Sequence, residues 1–273
     1  MKIDGKSIAQ TIYADLTERV GELRRKNITP TLTVILVGND PGSENYVRQK
    51  QIFAEKIGVN LVLKRLESAT LDELKPIIDE LNQDPLVHGI IIQRPLNTIS
   101  DEDLDALVIP IKDVDGFHTD SHFDPPVAKA VIKLLESIHP EGFGEWLTRQ
   151  KIAVVGKGRT AGRPTIKLLM KKYDLNPAII DSKTEDPAKI LKNSTIIISA
   201  VGKRDAVTVA MIVSKPILIG IGLHTEDDGK LHGDFNESEV GPLTAFYSGT
   251  PGGVGPINVA MLLQNVVEAA EQQ

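Results

Sequence analysis

Short β-branched runs that alternate with amphipathic stretches limit what this chain can fold into more than any other feature. Ile8, Ile12, Leu16, Val20 and Leu23 recur at helical spacing and predict an amphipathic helix over residues 7–25. The run from Thr31 to Val37, closed by Gly38, predicts a buried strand. A turn follows at Asn39-Asp40-Pro41-Gly42, with Ser43 placed to cap a helix reaching about Ile57. Val59 to Leu66 reads as a strand, 71–83 as a helix that Pro76 should kink or break, and Val87 to Gln93 as a strand. After Gly116 the pattern restarts, with a helix over 126–138, a strand from Lys151 to Gly156 and a helix from Gly162 with Pro164 in its first turn. Further strands are expected from Ala178 to Asp181, Thr195 to Ala200 and Ile217 to Ile221, and a last helix over 256–270 opened by Pro256. Strands alternating with helices demand parallel sheets covered on both faces. Two such series, parting near residues 118–125, predict an α/β fold of two domains with a cleft between them.

Composition removes several function classes. Apolar residues make up 41% and charged residues 25%, ordinary values for a globular chain. A net charge of −6 argues against a nucleic-acid partner. No apolar run approaches the ~20 residues that span a bilayer, and Met1 to Lys6 lacks the apolar core of a signal peptide, so a cytoplasmic protein without a membrane partner is expected. Cysteine is absent, which excludes disulfides, thiolate metal sites and cysteine nucleophiles. A Ser-His-Asp hydrolase lacks support, because no G-x-S-x-G elbow follows a strand. The stretch from His118 to Asp124 carries metal-ligand types, yet it reads better as a polar inter-domain loop, and no metal is expected.

The glycine loop Gly156-Lys157-Gly158-Arg159-Thr160-Ala161-Gly162 joins a predicted strand to a predicted helix. Glycines there let the backbone approach a pyrophosphate, and a helix N-terminus supplies N–H donors and positive potential. Its spacing is one residue longer than the usual dinucleotide fingerprint, and a plain turn in a βαβ unit would also account for it. Asp181 ends the next strand, where a carboxylate can hold a ribose 2′-hydroxyl and would repel a 2′-phosphate. Lys157, Arg159, Ser182 and Lys183 can offset that repulsion, so the residues alone favour NAD only slightly over NADP.

A second group of polar residues lies in the first half. Tyr46 and Lys50 are four apart on one helical face. Gln93 closes a strand, at the carboxyl edge where α/β sheets place ligands. Asp113 and Asp115 stand in Lys112-Asp113-Val114-Asp115-Gly116. Far downstream, Pro251-Gly252-Gly253-Val254-Gly255-Pro256 is a stiff, side-chain-poor loop, suited to close backbone approach to a flat ligand or to a mere helix-entry turn.

Taken in order, these residues resemble the methylenetetrahydrofolate dehydrogenase/cyclohydrolases over nearly the whole chain. The motifs that carry the resemblance are Asp4-Gly5-Lys6, Tyr46…Lys50 with Val47, Gln93 with Pro95-Leu96, and Lys112-Asp113-Val114-Asp115-Gly116-Phe117. They continue with Gly156…Gly162-Arg163-Pro164, Gly233-Asp234 and the Pro251–Pro256 loop. The resemblance implies an α/β substrate domain of residues 1–120 completed by the C-terminal helix in 250–273, and a Rossmann-type nucleotide-binding domain of residues 121–249. It implies a homodimer that binds a folate and NADP, with NAD as the alternative, and needs no metal. The reaction implied is oxidation of 5,10-methylenetetrahydrofolate to the methenyl form, then hydrolysis to 10-formyltetrahydrofolate, within one-carbon metabolism and purine biosynthesis.

Carried over residue by residue, Lys50 is the central catalytic group, Gln93 orients it, Tyr46 stacks on the folate and Asp115 grips the pterin edge. Pro251, Gly252, Gly253, Val254 and Pro256 join the substrate site. Gly156, Lys157, Gly158, Gly162, Asp181, Ser182 and Leu223 join the nucleotide site. The chain departs from the family at Pro125-Pro126-Val127-Ala128, where Pro-Cys-Thr-Pro is common. It departs also at Gly158 (usually Ser), Ala161 (Val), Asp181 (a non-acidic residue), Gly220 (Asp), His224 (Asn) and Ser248-Gly249-Thr250 (Thr-Pro-Val). Most departures fall around the nucleotide. A cyclohydrolase with a degraded nucleotide site, or a non-catalytic folate-binding regulator, therefore stand as alternatives. An unrelated dehydrogenase would explain the glycine loop but neither the first-half residues nor the Pro251–Pro256 loop.

Overall fold

The computed structural model of the chain describes residues 1–96, 98–226 and 230–273. In chain order the elements are β1 (Lys2–Ile3), α1 (Gly5–Arg25), β2 (Thr31–Val37), α2 (Pro41–Ile57), β3 (Asn60–Leu66), α3 (Leu71–Gln83), β4 (Gly89–Ile92) and α4 (Asp101–Leu107). Next come α5 (Pro126–Ile138), α6 (Phe143–Thr148), β5 (Ile152–Val155), α7 (Gly162–Tyr173), β6 (Ala178–Ile180), α8 (Pro187–Lys192) and β7 (Ile196–Ser199). The last are β8 (Ile217–Gly220), β9 (Leu223–Thr225), β10 (Leu231–Gly233), α9 (Glu237–Val240), β11 (Phe246–Ser248) and α10 (Val254–Gln272).

The chain divides into two compact units, and the divisions fall within α1, at the start of α5 and within α10. Gln10–Pro126 with Val259–Gln273 holds a parallel sheet of order β3-β2-β4. Central β2 and its neighbour β4 are largely apolar and buried almost throughout, whereas β3 exposes Asn60, Val62 and Arg65. Ile35, Leu74, Ile78, Leu81, Ile90 and Leu104 form the core on one face. Met1–Ala9 with Val127–Asn258 holds a sheet of order β1-β11-β8-β7-β5-β6, every neighbouring pair parallel, and the small antiparallel pair β9-β10. Its core includes Ala153, Val155, Ile197, Leu218 and Phe235.

Strand order locates a crevice in each unit. From β2 the chain adds β3 on one side and then β4 on the other, and from β5 it adds β6 and then β7 in the same way. Where the order reverses, the loops beyond the carboxyl ends of the two strands diverge and leave room for a ligand. The local hydrogen bonding is alike. Gly38 and Gly156 end β2 and β5 at φ of 78° and 89°, and their N–H groups donate to Leu66 and Ile180 at 2.8 Å each. Gln93 and Ala200 follow β4 and β7, and donate to Ile35 and Val155 at 2.8 Å each.

Three local expectations need correction. Pro76 does not break α3, which runs unbroken through it. Pro76 is exposed, so the carbonyl left without an N–H partner faces water, and a capping box of Thr70 and Glu73 secures the first turn. The cap of α2 is Asp40 rather than Ser43, because Pro41 can open a helix without an N–H to satisfy. Asp40 Oδ2 accepts the Ser43 N–H at 2.7 Å, and buried Ser43 Oγ donates to the Arg94 carbonyl at 3.3 Å. The last helix starts at Val254, which puts Pro256 inside its first turn. The short elements β1, α4, α6, α8, β9, β10, α9 and β11 give too few residues for a period to be read.

Candidate functional site

In α2 the buried positions are Ser43, Val47, Lys50, Ala54 and Ile57, a stripe at steps of four, three, four and three. A lysine therefore occupies a core position. It is 9% exposed, and its Nζ donates to Gln93 Oε1 at 2.9 Å. Gln93 Nε2 in turn donates to the Arg94 carbonyl at 2.8 Å, which fixes which way the amide faces. Burial drives the Lys50 ammonium below the ordinary lysine range, and the Asp115 carboxylate opposes that shift. Burial pushes Asp115 upward, while Lys50 and Arg94 pull it back. Tyr46 lies one turn before Lys50 at the margin of the stripe and is 38% exposed. Lys50, Gln93 and Asp115 are thus brought into mutual influence at the β2/β4 reversal, with Tyr46 beside them.

The segment carrying Asp115 is held by backbone contacts that the sequence did not announce. The Ile90 N–H donates to the Lys112 carbonyl at 2.9 Å. Asn265 Nδ2, on α10, donates to the carbonyls of Val114 at 2.8 Å and Asp124 at 3.1 Å. A Cβ on Gly89 would stand 2.8 Å from Val114, and Gly116 takes a φ of 72° with Pro125 N only 2.7 Å from any added Cβ. Lys112, from the same motif, serves the fold: its buried Nζ donates to the carbonyls of Leu81 at 2.9 Å and Asp84 at 2.6 Å, closing the end of α3. Asp113 is 5% exposed and accepts the His118 N–H at 2.8 Å. Burial lifts its carboxyl to about 6, with Asp115 and Asp105 adding to the rise.

Arg94 is the main residue that sequence reasoning passed over. Its guanidinium pairs with Asp101 and Asp105 and lies 4.8 Å from the centre of the Phe117 ring. The available signal was its place directly after Gln93 at a strand end. For Asn265 the signal was an amide at a core-facing position of a largely apolar helix.

The β5/β7 reversal is built from backbone. A Cβ on Gly162 would lie 2.1 Å from the Gly156 carbonyl oxygen, and one on Gly156 would lie 2.6 Å from the Ala200 oxygen. Gly158 meets nothing within 4 Å. No side chain caps α7, whose N-cap is Ala161. Two obligatory glycines and an uncapped twelve-residue helix make a cradle that fits a pyrophosphate. At its rim Lys157 Nζ pairs with Asp181 Oδ2 at 2.6 Å and holds that carboxyl below its usual range. Asp181 also accepts the Lys183 N–H at 2.9 Å, and Ser182 is exposed beside it. Leu223 opens β9 with its carbonyl against Gly202. Two distant motifs prove to be one packed feature, since a Cβ on Gly5 would stand 2.0 Å from the Gly253 oxygen and 2.7 Å from that of Gly252. Gly252 has a φ of 110°, Pro251 follows a cis peptide bond, and Val254 is buried.

Residues 3–115 match the family described as tetrahydrofolate dehydrogenase/cyclohydrolase, catalytic domain, and residues 125–273 match its NAD(P)-binding domain. The chain belongs to the tetrahydrofolate dehydrogenase/cyclohydrolase family. The bifunctional protein FolD of Ligilactobacillus salivarius is 36% identical over 99% of this chain and 96% of its own length. That of Moorella thermoacetica is 37% identical over 99% and 98%. Among solved structures, the bifunctional FolD methylenetetrahydrofolate dehydrogenase/cyclohydrolase of Campylobacter jejuni superposes with a TM-score of 0.93 at 31% identity, over 100% of this chain and 99% of that one. The Trypanosoma brucei enzyme, solved with NADP cofactor and inhibitor, gives 0.89 at 29% identity over 100% and 97%.

The two-domain α/β fold expected from the sequence is that of the family. Two of the chain's departures from the family pattern are spatial neighbours. Gly220, where the family usually has Asp, leaves Phe235 Cε1 only 2.9 Å from an added Cβ, and its N–H donates to Ser248 Oγ at 2.8 Å. A third, His224, sets its Nε2 3.2 Å from Glu226 Oε1. Among the described residues no cluster of three His, Asp or Glu could hold a metal ion, and no helix is long and apolar enough to cross a membrane.

Proposed function

We propose that this chain oxidises 5,10-methylenetetrahydrofolate to 5,10-methenyltetrahydrofolate with NADP⁺ and hydrolyses the product to 10-formyltetrahydrofolate. The observation that carries this reading is the Lys50 amine, buried at a core position, held by Gln93 and biased toward its neutral form. The folate and catalytic role is assigned to residues 1–120 with 250–273, and the nucleotide role to 121–249. That is a division by chemistry, since by packing Met1–Ala9 and residues up to Asn258 group with the six-stranded sheet.

Bound NADP⁺ supplies the acceptor for a hydride from the folate methylene carbon. Expulsion of that hydride is driven by the neighbouring folate nitrogens, so the protein's task there is to position. Gly156, Gly158 and Gly162 present backbone to the pyrophosphate, with Ser182 and Leu223 at the edges of the same site. The Lys157–Asp181 pair offsets the charge that would otherwise repel a 2′-phosphate, which favours NADP⁺ with NAD⁺ as the alternative.

Hydrolysis of the methenyl cation needs a base, because the attacking water must lose a proton as it adds to carbon. Neutral Lys50 takes that proton. A cationic substrate nearby disfavours ammonium further and so works in the same direction as burial. Gln93 keeps the amine aimed, Asp115 accepts paired N–H donors of the pterin, and the Tyr46 ring stacks on its face. By the same resemblance Pro251, Gly252, Gly253, Val254 and Pro256, which lead into and open α10, are assigned to folate binding. We assign the chain to the cytoplasm as a homodimer, which sedimentation would report as twice the chain mass.

Two assays test the reading. Methylenetetrahydrofolate with NADP⁺, and with NAD⁺ in a second series, should yield reduced nicotinamide absorbance. Methenyltetrahydrofolate supplied alone should disappear faster than in buffer. Failure of both sinks the proposal.

A further inference from the structure

Asp234 lies just past β10 and is fully buried, yet the mechanism above gives it nothing to do. Its Oδ2 accepts Ser199 Oγ at 2.7 Å and the Val201 N–H at 2.9 Å. Its Oδ1 accepts the Gly202 N–H at 2.7 Å and the Lys203 N–H at 3.1 Å. Three successive amides and the hydroxyl before them thus converge on one carboxylate. Such an arrangement forces the chain to curl around the anion, and Gly202 meets the demand with a φ of 69°. Gly222 leaves the space, since a Cβ there would stand 2.3 Å from both carboxylate oxygens.

The clasped segment sits at the β5/β7 reversal. The Ala200 oxygen and the Val201 side chain are what an added Cβ on Gly156 would strike, at 2.6 and 3.3 Å. The Leu223 carbonyl lies 3.0 Å from where a Cβ on Gly202 would be. The Asp234 carboxylate therefore fixes a loop that packs on the first glycine of the cradle and on Leu223, both assigned above to the nucleotide.

We infer that Asp234 is a positioning residue for the dinucleotide: it holds residues 200–203 in the one shape that lets the β7 loop and the Gly156–Gly162 loop receive the nucleotide together. The inference rests on the nucleotide reading of that site. A carboxylate suits this task and an amide does not. In either flip, an asparagine at 234 turns its NH₂ toward at least one backbone N–H that now has no acceptor, so the loop must move.

The test is direct binding of NADP⁺ by calorimetry, together with methenyltetrahydrofolate hydrolysis, which uses no nucleotide. Wild-type protein that binds no NADP⁺ would defeat the nucleotide reading itself and this inference with it. Given wild-type binding, Asp234→Asn should weaken NADP⁺ at least about tenfold, the scale of losing hydrogen bonds to a charged acceptor. Hydrolysis should stay within about twofold of wild type, which a general loss of structure would not allow. An unchanged Kd overturns the inference. Should Asp234→Asn lose both readouts by unfolding, Ser199→Ala decides. It removes one hydrogen bond and should raise the Kd roughly threefold with hydrolysis intact, and an unaltered Kd there overturns the inference as well.

Discussion

The two reversal points share a backbone plan and differ in what occupies it. Each has a positive-φ glycine ending the first strand and a 2.8 Å bond from the residue after the third strand back to the first. At the β2/β4 reversal the working parts are side chains, with a lysine and an aspartate at buried positions and a glutamine and a second aspartate half-buried beside them. At the β5/β7 reversal they are main-chain atoms, shaped by glycines and by one buried carboxylate. A side-chain site stores electrostatic tension and should answer to changes of charge and pH. A backbone site stores little charge tension and should answer to changes of volume.

The sharpest break of that contrast is Lys50→Met, which keeps length and apolar stem while deleting the base. Hydrolysis should fall by about 10²–10⁴-fold, the range of a general base, with nucleotide affinity unchanged. Near-normal hydrolysis by the variant removes Lys50 from the mechanism. Next in size is Gly162→Ala. Its Cβ would lie 2.1 Å from a backbone oxygen, so the loop must shift, at about 1–3 kcal/mol in stability. NADP⁺ binding should be lost at millimolar concentration while hydrolysis survives, and a variant that binds like wild type would show that the cradle is not the nucleotide site.

How far each region could be read from sequence follows from the same difference. The Lys50 site announces itself in residue types: a lysine in the apolar stripe of α2 and a glutamine at a strand end are visible anomalies. The glycine loop announces a turn, but sequence gives Gly158 the same weight as Gly156 and Gly162, and only the folded loop shows that the outer two are sterically compelled. Contacts between residues distant in the chain were hidden altogether. Nothing local ties Gly5 to Gly253, Asn265 to Val114, or Asp234 to the loop after β7, because each depends on how separate elements pack. Periodicity found the long helices and buried strands. It missed two- and three-residue strands such as β1 and β11, which exist because a neighbouring strand offers its edge.

A smaller effect tests the tension itself. Asp113 titrates at about 6 in the fold against 3.8 for the free side chain. Its folded pKa is raised, so its contribution is fully present below about pH 4 and is lost as pH rises through about 6. Above that window the fold carries a buried charge at a cost of about 2–3 kcal/mol. Asp113→Asn preserves shape and can still accept the His118 N–H. It should be more stable than wild type by that amount at pH 7.5, measured by urea unfolding, and the gap should close as pH falls from 6 toward 4. A pH-independent gap would mean the carboxyl is not desolvated, and the first region would lose its claim to stored tension.

The finest distinction concerns Gly158, the one cradle glycine with open space around it. Its φ is not in the left-handed region and no atom lies within 4 Å of an added Cβ, so the fold does not require glycine here. The family usually has serine at this place. Gly158→Ser should then leave stability unchanged or raise it by up to about 1 kcal/mol, through a less flexible unfolded chain. Gly158 presents only main-chain atoms to the pyrophosphate, which a serine supplies equally, so NADP⁺ affinity should stay within about twofold. A tenfold loss with intact stability would mean that the ligand's own approach, rather than the packing of the loop, demands a bare backbone at 158. The nucleotide would then need the space of the missing Cβ at 158 as well as the main-chain groups of the loop.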